Sequence, residues 1–408
     1  MKDILTYIKE SYDEIFKLTE EEIQELLDLD LEYGKLMLIS RYEIVAREIL
    51  NADEEWEKFE QIHIKDGEKY FPTIRHKEMK YKKYDLENRT NALIEKFSHI
   101  SCPLKKHYIS SLESILNKID YIHNLYSKDY EIAKEKIYNF DDSTVNYALD
   151  IIHNTTDTSL PEDKIYQRNI TGNEAKDKIQ KALDELGYDW KIIENNDMPP
   201  RMGVNPEKTF RIRTTAKFSE VDIESLIAHE INGHVRKRFE GYKKGLFLFV
   251  FGLNGKNIFD EGMAIWNSLN LTNHQKPNAL FKICFSYIVC YYLSKYDFCE
   301  TFDRMKLLCE GKNVSDKLIF KQLMRSKRST IRTDRLGYWS GDIDYLRGYL
   351  LVDKMSTEER EKIIQWNVGP DQYNDIEMFE KFFKYNHIPE ISNKRLNEIK
   401  KDYKDLPN

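Results

Sequence analysis

Between residues 18 and 50 the chain reads LTEEEIQELLDLDLEYGKLMLISRYEIVAREIL. Apolar residues fall three and four apart with acids concentrated early, the pattern of amphipathic helices packed on one another. The same texture runs to about residue 165 and predicts a helical N-terminal region. Near Pro161 the pattern changes. Residues 173–186 predict a short helix stopped by Gly187, in the position where a left-handed residue ends helices. WKII (190–193), RMGV (201–204) and FRIRT (210–214) are short β-prone runs. Asn-Asp-Met-Pro-Pro and Asn-Pro-Glu-Lys separate them as turns, so the three predict a small antiparallel sheet. From Ser219 the chain is again helical almost to its end. The expected fold is mainly α with a small β-sheet (α+β). Three parts are expected: a helical N-terminal region over 1–165, a core over 166–350 and a helical C-terminal extension over 351–408.

One predicted helix carries unusual chemistry. Ser219-Glu220-Val221-Asp222 has the form of an N-cap with a carboxylate three residues on. Ile223, Leu226, Ile227, Ile231, Val235 and Phe239 follow at helical spacing, and Gly241 marks the expected stop. Inside lies LIAHEINGHVR (226–236), which places two of the chain's 10 histidines around Glu230. His229 and His234 are five residues apart. At about 100° per residue, a separation of four leaves side chains about 40° apart and five leaves them about 140° apart. Two readings follow. The histidines are unrelated, one in the core and one at the surface; or the helix takes an extra residue as a π-bulge and restores a shared face. Asn232-Gly233, neither a strong helix former, is where such a bulge would form.

Composition narrows the function. The chain has 408 residues, 41% hydrophobic and 33% charged, with a formal net charge of −7. That acidic balance argues against a general nucleic-acid binder. The N-terminal MKDILTYIKESYDEIF is broken by charges and has no secretory apolar run. The longest apolar stretch, LFKICFSYIVCYYL (280–293), is too short for about 20 spanning residues and contains Lys282, so a buried helix is expected and no membrane association. Five cysteines without a C-x-x-C pair fit reduced thiols in a cytoplasmic protein and offer no sulfur metal site. The basic, aromatic stretch IRHKEMKYKKY (74–84) reads as a solvated helix face in preference to a binding patch.

Downstream, GLNGKNIFDEGMAIWNSL (252–269) predicts a helix with Asp260-Glu261 near its start, where the backbone dipole favours acids in any case. HEINGH and EGMA together resemble the tyrosine and glutamate carboxypeptidases whose animal members trim the tubulin C-terminal tail. That family pairs an H-E-x-x-x-H string with an E-G-L-A-like segment. RMGVNPEKTFRIRTTAKFSE resembles the family's strand pair before the metal helix, and DYLRG (344–348) its Y-x-R-G segment. The resemblance covers about residues 165–350. The chain departs from the family at Asn232-Gly233, Asp260 and Met263, none of which removes a ligand.

What the resemblance implies is a gluzincin-like core holding one zinc ion through His229, His234 and Glu261, with Glu230 as general base. It also implies Tyr345 as a catalytic donor to the oxyanion, and Arg347, then Arg201, as receivers of the substrate's terminal carboxylate. The expected activity is zinc-dependent removal of a C-terminal tyrosine or glutamate-like residue from a protein or peptide. The alternatives are a zinc endopeptidase or aminopeptidase on the same site, or a non-catalytic binding relative. VRKRFEGYKKG (235–245) leaves two readings open: cations favoured at a helix C-terminus, or a basic margin that draws in an acidic tail.

Overall fold

The computed structural model describes residues 16–43, 49–75, 83–124, 140–156, 164–196, 198, 200–273, 278–328, 333–338 and 341–404. The N-terminal stretch through residue 15 and the basic segment 76–82 lie outside the described residues. The main helices are α1 (Glu20–Glu43), α2 (Lys83–His99), α3 (Lys105–Asn124), α4 (Asp142–Asn154), α5 (Gly172–Glu185) and the long α6 (220–243). After it come α7 (Asn257–Asn270), α8 (Ala279–Leu293), α9 (Asp316–Lys327), α10 (Gly341–Asp353), α11 (Thr357–Trp366) and α12 (Asn393–Lys404). The fold is therefore mainly α with small sheets.

The helix expected over 173–186 starts at a capping box, in which Thr171 and Glu174 each satisfy the other's backbone N–H. Gly187 follows in the left-handed region at φ 72°. The strands are β1 (Ile170–Thr171), β2 (Lys191–Glu194), β3 (Met202–Asn205), β4 (Thr209–Ile212) and β5 (Lys217–Phe218). The sheet expected to be antiparallel is mixed. Its order is β2-β4-β3, with β4 antiparallel to β3 (Val204 opposite Phe210) and parallel to β2 (Ile192 opposite Phe210). β4, in the middle, buries Phe210 and Ile212 completely by its alternation; β3 on one edge buries Met202, Val204 and Asn205, and β2 on the other is mostly exposed. A second pair, β1 with β5, holds the chain just before α6.

Two apolar cores organise the molecule. The first gathers α1 to α3, the sheet, α6, the start of α7 and the C-terminal helices, with Phe210, Phe247, Phe249, Phe259 and Phe379 fully buried. Asp30 ties distant parts of it together. Its buried carboxylate accepts from the Tyr108 hydroxyl (2.8 Å), the Phe247 and Leu248 amides (2.8 and 3.1 Å) and Arg395 (3.0 Å). The second core surrounds α8, the apolar stretch expected as a buried helix, and includes Trp56, Phe298, Phe320, Ile343 and Leu346. Both cores draw on residues from either side of position 165. Among the described residues no helix is long and apolar enough to cross a membrane. All five cysteines are free and buried.

α7 and α10 meet backbone to backbone. A Cβ on Gly262 would strike the Gly348 carbonyl, and one on Gly348 would strike the Ile258 carbonyl oxygen and the Gly262 backbone. No rotamer relieves a clash with main chain. Gly348→Ala is therefore expected to destabilise the fold by about 3 kcal/mol, the upper range for overpacking. Denaturant unfolding against the parent protein checks this, and an unchanged midpoint refutes the contact.

Candidate metal centre

α6 begins as its sequence indicates: the Ser219 hydroxyl accepts from the Asp222 amide (3.0 Å), while the Asp222 carboxylate accepts from the Ser219 amide (3.3 Å). It runs as α-helix over Glu220–Leu226, as π-helix over Ile227–Val235 and as α-helix again over Arg236–Lys243. The wider turn thus spans the whole histidine segment. In a π-helix the hydrogen bonds run i→i+5, so residues five apart return to nearly the same face. The rings of His229 and His234 accordingly lie with centroids 5.2 Å apart at 77°. Gly233 has a further reason: a Cβ there would stand 3.0 Å from the Ala264 Cβ and 3.1 Å from its Cα. The glycine lets α7 lie directly on the π segment. Gly241 does not stop the helix; it packs against the Phe249 carbonyl, and the left-handed stop is Gly245 at φ 80°.

That contact carries Glu261 to the histidines. Glu261 Oε2 is 4.0 Å from His229 Nε2, and Glu261 Oε1 is 4.0 Å from His234 Nε2. Glu230 completes the group, with a ligand atom of His229, Glu230 and His234 each within 4.8 Å of the others. Glu230 is buried, while His234, His229 and Glu261 are partly exposed, with Glu261 the most open at 32%. Burial, then the neighbouring His229, hold the His234 pKa well below its ordinary value, so the ring is the neutral donor that a metal requires.

The donor set fits zinc. Two imidazole nitrogens and one carboxylate are a recognised catalytic ligand set that leaves a position open. The 4.0 Å separations are somewhat wider than the ~3.4 Å that tetrahedral bonds of ~2.1 Å require, a gap within side-chain rotation. Behind Glu261, Asp260 sits between Lys237 and Lys256. Burial opposes its charge, but the two ammonium groups outweigh it and hold Asp260 below the usual carboxylate range. This buried ion group pins the start of α7 to α6.

Tyr345, on α10, faces Glu261: the carboxylate's charge, then burial, push the phenol pKa above its ordinary range. Arg347 lies one turn beyond Asp344 and interacts with it and with Tyr287. Arg201 has its two terminal nitrogens on Asp222 (2.7 and 3.0 Å) and stacks over Phe218. It secures the N-cap of α6. Most of the basic stretch after the histidines is likewise used internally. Arg236 pairs with Glu361, Lys237 with Asp260, Arg238 donates to the Val204 carbonyl (3.0 Å), and Lys244 lies over the Trp366 ring.

Sequence reading did not single out Arg325, Arg328 and Asp342. Asp342 is fully buried and accepts from Arg325, Arg328 and the Ser326 hydroxyl, and Arg325 also reaches the Tyr345 phenol. The only local signal was two arginines three apart at the end of a helix, which is ordinary.

Residues 61–397 match the microtubule-associated tyrosine carboxypeptidase family. No curated protein matches the chain. The family match covers most of the chain, including both histidines, Glu230, Glu261 and Tyr345. This chain belongs to the microtubule-associated tyrosine carboxypeptidase family.

Proposed function

We propose that the chain is a zinc-dependent carboxypeptidase that removes the last residue, a tyrosine or glutamate-like one, from a protein tail of the tubulin kind. The observation that carries this reading is the meeting of His229, His234 and Glu261 beside Glu230 on a π-helical turn, within the family region. His229, His234 and Glu261 would hold one zinc ion. When bound, zinc supplies a Lewis acid that polarises a carbonyl and lowers the pKa of water towards neutrality.

The remaining work falls to side chains of this chain. Glu230 follows the first histidine directly, and its carboxylate lies within 4.8 Å of the ligand atoms of both histidines. It takes the proton from the attacking water and delivers it to the leaving amine, so one carboxylate serves both halves of the reaction. Tyr345 faces the same space and donates a hydrogen bond to the scissile oxygen as charge develops there. Since Arg236, Lys237 and Arg238 are engaged within the fold, an acidic tail would be drawn by other groups than the helix's basic run.

Three outcomes are expected. Glu230→Gln should lower turnover of a tyrosine-ended peptide by about 10²- to 10⁴-fold, the range for losing a general base. Metal analysis of that variant should still find one zinc per chain; activity lost together with zinc would remove Glu230 from the proton-transfer role. Glu261→Gln, which removes a direct ligand, should weaken zinc binding by more than the roughly 10- to 100-fold usual for outer-shell partners, as read by competition with a chelating dye. Peptides amidated at the C-terminus should resist cleavage while their free-acid counterparts are shortened by one residue. Internal cleavage of both in mass spectra would favour an endopeptidase, and no cleavage of either a binding relative.

A further inference from the structure

Two contacts join α6 to α7 along one seam. At one end a Cβ on Gly233 would stand 3.0 Å from the Ala264 Cβ, so main chain of α6 rests on a methyl group of α7. At the other end the Lys237 ammonium donates to Asp260 Oδ1. Gly233 and Lys237 are four apart in sequence, as are Asp260 and Ala264. Residues four apart on a helix stand one above the other, about one turn along. The turn of α6 between the two contacts carries His234, and the turn of α7 between them carries Glu261. His234 Nε2 and Glu261 Oε1 face each other there at 4.0 Å.

The two ends differ in kind. Apolar contact has no direction, so the Gly233 end tolerates a pivot. The ion end is directional and is held from both sides. Lys256, the residue before α7, donates to Asp260 Oδ2 at 2.7 Å, so each carboxylate oxygen has its own ammonium. Lys237 is 2% exposed, and its ammonium also stands 4.6 Å from the Phe259 ring centroid. Gly252 makes the room for Lys256, since a Cβ there would strike the lysine Cδ and Cε.

Stability is a weak reason for such a group. Burying ions costs desolvation, and apolar residues of similar size often hold a fold equally well. What ions add over apolar packing is a fixed direction and distance. We propose that Lys237, Asp260 and Lys256 are positioning residues that set the spacing of His234 from Glu261 across this seam, with little net effect on stability. The assignment rests on the zinc reading above. The third ligand comes from a different helix than the histidines, so its distance to them follows the register of the two helices. Without the ion end, α7 would pivot about Ala264 and carry Glu261 with it.

The test compares the parent with a triple variant, Lys237→Met with Asp260→Val and Lys256→Met, which removes the three charges together. Denaturant unfolding of the metal-free proteins should give the variant a midpoint at or above the parent's. Its zinc affinity, read by competition with a chelating dye, should nevertheless fall about 10- to 100-fold, the range for residues that orient metal ligands. The cobalt(II)-loaded forms should differ in their visible absorption bands, which follow ligand geometry. Lys256→Met alone leaves Lys237 and Asp260 as a pair and serves where the triple variant does not fold; it should weaken zinc binding by about ten-fold. Zinc affinity within about two-fold of the parent's in a folded variant, or a folded triple variant with a lowered metal-free midpoint, overturns the assignment. A parent protein that binds no zinc overturns the zinc reading itself and this assignment with it, which separates the two failures.

Discussion

The close crossing of α7 and α10 at Gly262 and Gly348 is the contact on which the rest of the site depends. A side chain at either position would push the two helices apart by the thickness of a methyl group. Glu261 precedes one glycine and Tyr345 lies three residues before the other, so any separation acts directly on the distance between them. On its opposite flank α7 rests on Gly233 through Ala264. His229, His234, Glu261 and Tyr345 are thus placed by three helices stacked through small residues. Core packing elsewhere tolerates repacking far more readily than main chain pressed on main chain.

The nine-residue π run is a weak ladder in a long helix, and its flanks hold it. The capping box at Ser219 fixes the start, with Arg201 and Arg168 closing on Asp222. Beyond the run, Arg238 donates to the Val204 carbonyl and Tyr242 to the Pro206 carbonyl, which tethers the last turns to the sheet. This is the structural use of a sheet that supplies no ligand. Five charged or aromatic side chains after the histidines, Arg236, Lys237, Arg238, Tyr242 and Lys244, have partners within the fold.

Much of this was legible in local sequence because local forces decide it. The five-residue spacing of His229 and His234 is poor for a shared face on a regular helix, so the string left two readings, unrelated histidines or a wider turn, and the structure has the wider turn. Ser219 and Asp222 announced a cap, and Gly187 a stop. What escaped reading depends on contacts distant in sequence. Gly241 looked like a stop, yet it is small because the Phe249 carbonyl presses on it, and the stop falls at Gly245. The parallel pairing of β2 with β4 joins runs that are not neighbours in sequence, so neither run signals it alone. Arg325 carries no motif, since its meaning arises only when Asp342, on another helix, fixes one edge of its guanidinium.

The ownership of the two apolar cores has a consequence for how such a protein can change. His229, His234 and Glu261 sit on helices rooted in the first core, through Ile231, Val235, Phe259 and Met263. Tyr345 and Arg325 ride on helices rooted in the second, through Leu323, Met324, Ile343 and Leu346. On the proposed function, the residues that would hold zinc and the proposed donor Tyr345 thus stand mainly on different cores, and a substitution deep in one core would reach the other half of the site chiefly through the crossing at Gly262 and Gly348.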